Sequence, residues 1–198
     1  MVEYFSTTWM LVEVFGSIGV GLLARSPALL AFGGDSMIET LSGVVVLVQL
    51  RKGRNGGKAD DGLGKARTER AASALLFFLI PVIGLGAAYS YFAGLRPEGS
   101  ALGVAIAVGA VIVMPYLYFE KRRIGRETLT PALSIDAIES LTCLFMSVAL
   151  VGGLLAEYLL GLWWADYVAA AAILVFVGKE AVESFRELHA AGGAVSQV

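Results

Sequence analysis

Asp35 and Glu39 stand four residues apart in Ser26–Leu50, SPALLAFGGDSMIETLSGVVVLVQL, a stretch apolar and long enough to cross a bilayer. That spacing is about one helical turn, so both carboxylates lie on one face. Placing a carboxylate in hydrocarbon costs about 2.5–3.5 kcal/mol on insertion scales, which marks an intramembrane acid as functional by default. Paired carboxylates on one buried face can hold a cation, or take up and release protons.

The stretch has an echo. Shifted by 104 positions it lies, without a gap, on Thr130–Val151, TPALSIDAIESLTCLFMSVALV. Pro27, Ala28 and Leu29 fall on Pro131, Ala132 and Leu133, Asp35 falls on Glu139, and Glu39 falls on Cys143. The second copy therefore presents another pair of candidate ligands at i, i+4. Four acidic or thiol groups cannot share a dry site as anions; a divalent cation or bound protons resolve the charge. Four ligands suit tetrahedral coordination. Oxygen suits Mn and Fe, and thiolate suits Zn, Cd or Cu(I), so this mixed set leaves the metal open. Cys143 also reads as a small buried apolar residue. Asp136 is a further candidate ligand or proton acceptor, or a cap for its helix. Glu13, in the first apolar segment, is a candidate ligand, or faces a cavity, or hydrogen-bonds Ser17.

These residues must be positioned by helices in a membrane. The chain has 198 residues, 57% hydrophobic and 16% charged, with mean hydropathy +0.75. A soluble domain carries about a quarter charged residues. Six spans of suitable length are expected, over about 5–24, 27–50, 71–94, 100–119, 131–155 and 162–178, forming one all-α transmembrane domain over 1–180. Residues 51–70 read as a basic cytoplasmic loop and 181–198 as a short cytoplasmic tail. The loop is Gly-rich, but Gly53, Gly57 and Lys58 miss the phosphate-loop spacing and Ala59 stands where a hydroxyl is needed. The N-terminus carries Glu3 and no basic residue before the first apolar run, so that run is expected to stay as a helix. A net charge of −2 gives no basic excess for nucleic acid, and the single cysteine excludes an internal disulfide.

Thirteen of the fifteen basic residues fall on one side of this arrangement, leaving Arg25 and Arg96 on the other. Basic loops stay inside, so both termini are expected in the cytoplasm, with Trp163 and Trp164 at the outer interface. Glu157 and Asp166 read as solvated groups near the outer rim, and His189 as surface. Helices two and five then run in opposite directions, as an antiparallel repeat pair. At about 1.5 Å per residue, Asp35 comes level with Cys143, and Glu39 with Glu139, near the middle of a core about 30 Å thick. Inverted repeats with a midplane site are the architecture of many secondary transporters.

The motifs Asp35-Ser36-Met37-Ile38-Glu39 and Glu139-Ser140-Leu141-Thr142-Cys143 resemble the paired His/Asp-x-x-x-Asp motifs of the cation diffusion facilitator (cation efflux) family. LLARSPALLAFGGDSMIETL and GLWWADYVAAAAILVF also resemble that family's first turn with its second helix, and its sixth helix. The resemblance covers nearly the whole chain and is confined to the family's transmembrane part, without its cytoplasmic C-terminal domain. Glu replaces Asp at position 39, and Glu139 and Cys143 replace His and Asp. The resemblance implies a proton-coupled exporter of divalent metal, usually a homodimer; a bacterial or archaeal inner membrane is the expected location. A membrane-embedded binding or sensor protein, or a cation channel, fits the same residues. No catalytic motif such as H-E-x-x-H or a nucleophile elbow is present, so an enzyme is not expected.

Overall fold

A computed structural model describes residues 2–54, 78–127 and 131–195; within them the side chains of Glu3, Ser42, residues 45–54, residues 131–136, Glu180 and all residues after Val182 lie outside the described set. The basic loop expected at 51–70 lies outside the described residues from position 55 onward. The chain is all-helical among the described residues: α1 Val2–Ala24, α2 Pro27–Arg54, α3 Phe78–Phe92, α4 Ala101–Glu127, α5 Pro131–Leu160 and α6 Trp164–Val195. Three described stretches, Tyr4–Ala24, Ala101–Glu127 and Ala137–Leu160, are long and apolar enough to cross a membrane. Large apolar side chains such as Leu23, Phe92 and Phe15 point outward, 83%, 86% and 75% exposed. Apolar outside and polar inside is the pattern of a helix bundle in lipid. The chain is an integral membrane protein.

Several helices outrun the expected spans. Helix α4 continues past Phe119 to Glu127, and α6 continues through the expected tail to Val195. The reason in α4 is legible in the packing. Ala107, Ala110, Met114, Leu117, Lys121 and Gly125 form one buried stripe at helical spacing, so the inner face continues where hydropathy drops.

Helix α4 packs chiefly on α5, α1 on α2, and α5 also on α6; α2 touches α1, α5 and α6. From Ala28 to Ser36, α2 is buried all round except at Leu30. It is the central helix of the bundle. The turn into it is fixed by Arg25, whose φ of 54° is left-handed, and by the Ser26 N–H bond back to Gly21 O at 2.9 Å. The α3–α4 turn is tied to the same end by the Glu98 N–H, which donates to Ala24 O at 2.8 Å.

Helix α5 approaches α6 at Gly153, where an added Cβ would stand 2.5 Å from Ala169 Cβ and 3.1 Å from Ala165 O. Its neighbour Gly152 has nothing within 4 Å. Alanine in place of glycine favours a helix by about 1 kcal/mol, whereas overpacking costs about 1–3 kcal/mol. Gly153→Ala is therefore expected to unfold more readily than Gly152→Ala, by about 1–3 kcal/mol, in thermal denaturation of the detergent-solubilised protein.

Candidate metal site

Two adjacent glycines set the rotation of α2. A Cβ on Gly33 would come within 2.8 Å of Ile18 Cγ1 and 3.0 Å of Ile18 N on α1. A Cβ on Gly34 would come within 2.8 Å of Leu79 Cδ1 on α3. With those faces committed to close approach, Asp35 and, one turn later, Glu39 turn into the bundle, 1% and 3% exposed. The Ser36 hydroxyl donates to Phe32 O at 3.0 Å and the Thr40 hydroxyl to Ser36 O at 2.7 Å, so this polar turn ties its hydroxyls to its own backbone.

Helix α1 brings Glu13, wholly buried, to the same layer. The Trp9 indole N–H donates to Glu13 Oε1. Among the described residues, Glu13 Oε2 has no hydrogen-bond partner, and neither has the buried Ser17 Oγ. The alternative in which Glu13 bonds Ser17 is therefore replaced by a bond to Trp9. Both donors are one turn away from Glu13, on opposite sides.

Helix α5 brings Cys143, a free thiol with no exposure. Glu39, Glu13 and Asp35 are all near enough to act on it by charge, Glu39 most strongly. Depth counting set Cys143 level with Asp35; the structure sets the thiol first against Glu39. Counting along straight, upright axes ignores tilt, and a relative shift of one turn is only about 5.4 Å. Glu139, one turn before Cys143 on α5, is half-buried. Asp136 lies in α5, but its side chain is outside the described residues.

Asp35, Glu39, Glu13 and Cys143 thus share one buried polar layer where α2 packs against α1 and α5. Among the described residues, no group of three or more His, Cys, Asp or Glu side chains is arranged to hold a metal ion in this conformation.

Three features were not anticipated. Lys121, counted above among the cytoplasmic flanking charges, is fully buried, and its Nζ donates to Ser140 Oγ at 3.2 Å, beside Glu139. Its signal was the spacing from Leu117 and Met114, which continues their stripe. Asp166 and Glu157, expected to be solvated, are 0% and 5% exposed. Asp166 accepts the Ser26 hydroxyl, and its Oδ1 accepts the Ala28 N–H at 3.0 Å, so a residue of α6 caps the start of α2.

Residues 5–189 match the family model described as the cation efflux transmembrane domain. The chain belongs to the cation efflux family. Relatives include the manganese efflux system protein MneS of Bacillus subtilis, 27% identical over 172 residues, which cover 85% of this chain and 59% of that protein. The cation-efflux pump FieF of Shewanella oneidensis is 27% identical over 175 residues, covering 85% of this chain and 58% of the pump. An uncharacterized transporter of Bacillus subtilis, YdbO, is 25% identical over 172 residues. The chain spans less than two thirds of the length of these relatives. The cation efflux match covers all of α2 to α5 and most of α1 and α6, so the polar layer lies inside the family's domain.

Proposed function

We propose that this chain moves divalent transition-metal ions out of the cytoplasm in exchange for protons, through the layer formed by Asp35, Glu39 and Cys143, with Glu139 beside it. The observation that carries this reading is the burial of Asp35 and Glu39 on the central helix, with the Cys143 thiol against Glu39 and the Glu13 carboxylate nearby. Buried anions at this density need a cation or protons. Family membership adds that the relatives named for an activity are named for manganese efflux and cation efflux.

Metal and protons compete for the same oxygens, so metal uptake releases protons and protonation releases metal. That competition couples the two fluxes without a separate proton site. A donor set that closes only in the metal-loaded state fits rocking of helices around a fixed site. Glu13 and Asp136 are the additional metal or proton groups, and Lys121, held by Ser140, puts a fixed positive charge near Glu139. Zn, Mn, Fe and Cd are the candidate substrates. Oxygen donors favour Mn and Fe, and the thiolate favours Zn and Cd. The inverted pairing of α2 with α5, a homodimer, cytoplasmic termini and an inner-membrane location complete the proposal.

Metal flux into proteoliposomes, with and without an imposed pH gradient, tests it. A gradient that is acidic on the release side is expected to accelerate metal movement several-fold, and its collapse to abolish the gain. Flux indifferent to the gradient would mean a channel or facilitated diffusion. Tight binding with no flux in either condition would mean a sensor or store.

A further inference from the structure

At the end of the bundle where α2 begins, two more acids are buried together, well away from the polar layer. Gly153 of α5 packs against Ala165 and Ala169 of α6. One helical turn further along the same face of α5, Glu157 meets the first turn of α6, where Asp166 stands close enough for their charges to interact. Glu157 is 5% exposed, and neither of its carboxylate oxygens has a hydrogen-bond partner among the described residues. Asp166 is held rigidly by the Ser26 hydroxyl on one oxygen and the Ala28 N–H on the other. A carboxylate has about four lone-pair sites, so Asp166 keeps about two unused.

Among the described residues, nothing positive answers this pair. The Tyr167 hydroxyl, the next polar group on α6, donates to Leu95 O at 2.7 Å. Arg96 lies over the Trp163 ring, 5.6 Å from its centroid. Among the described residues, no lysine or arginine forms an ion pair with Glu157 or Asp166. Two neighbouring buried anions without a counter-charge are costly, and an orphaned carboxylate more so.

We propose that Glu157 and Asp166 form a second site, for a divalent cation, separate from the polar layer. Glu157 supplies two open oxygens and Asp166 a fixed third, with water completing the shell. An all-oxygen set of this kind suits a hard ion such as Mn2+. With the orientation proposed above, the site stands at the outer mouth, where an ion leaving the bundle would pass. Only that placement rests on the transport reading; the site itself does not.

Electron paramagnetic resonance of Mn2+ titrated into the solubilised protein counts bound ions. Glu157→Gln keeps the shape and removes the charge, and is expected to bind one fewer Mn2+ per chain than the unaltered protein. Glu157→Asp is expected to keep the count. A chain carrying Asp35→Ala with Glu39→Ala loses a different ion and still loses one more when Glu157→Gln is added. An equal count in Glu157→Gln and the unaltered chain overturns the site. If Glu157→Gln does not fold, the Asp35→Ala, Glu39→Ala chain decides: Mn2+ must still raise its unfolding temperature, and no rise overturns the proposal. Failure of the polar layer alone reads differently, as an unchanged count on removal of Asp35 and Glu39.

Discussion

Asp35→Ala and Glu39→Ala are each expected to abolish metal binding at the polar layer, leaving only the ion held by Glu157 and Asp166, while the protein still inserts and folds. Both carboxylates are buried on the one helix that α1, α5 and α6 enclose, so neither can be replaced by a solvated neighbour. The expected loss exceeds the roughly 10–100-fold that removal of a mere orienting partner costs. Folding should survive, because alanine removes a buried charge whose desolvation is itself unfavourable. Calorimetric titration with Zn, Mn, Fe and Cd measures the effect. Undiminished affinity in both variants would remove α2 from the site.

Cys143 is expected to control which ions bind. Its thiol is fully buried against Glu39, and a thiolate in that position favours softer ions. Cys143→Asp turns the layer to oxygen alone. It is expected to weaken Cd and Zn relative to Mn by about tenfold or more, on the scale of a single changed interaction of about 1.4 kcal/mol. Cys143→Ser is expected to weaken the softer metals without unfolding the protein. Serine is close to cysteine in size, so the buried core that holds Cys143 keeps its packing. Competition between metals in the three proteins ranks them directly. An unchanged ranking would make Cys143 a packing residue and leave Asp35, Glu39 and Glu139 as the set.

What was legible in the sequence is instructive at single residues. The Asp35–Glu39 face could be read because i, i+4 spacing survives any helix tilt. The partner of Cys143 could not, because depth along straight axes carries an error of about one turn. Lys121 was misplaced for a different reason. Charge counting assigns any lysine after an apolar run to the flank, but α4 keeps burying its face through Lys121 to Gly125. Asp166 and Glu157 were misplaced the same way. Each falls on a buried stripe, Asp166 with Ala169, Ala170, Ile173 and Val177, and Glu157 with Leu154, Leu150 and Met146. The stripe period, continued past the hydropathy edge, would have found all three. The hydrogen bonds from Ser26 and Ala28 to Asp166 span about 140 positions of sequence. No local pattern encodes a contact of that range.

The central claim is that metal crosses the membrane through the Asp35–Glu39 layer. Its most direct test is the initial rate of metal uptake by proteoliposomes holding equal amounts of folded protein, with an outward proton gradient. The unaltered chain is expected to transport. The Asp35→Ala, Glu39→Ala chain is expected to fall to the rate of protein-free liposomes. Uptake by that double variant at the unaltered rate would contradict the claim and place the path elsewhere in the bundle.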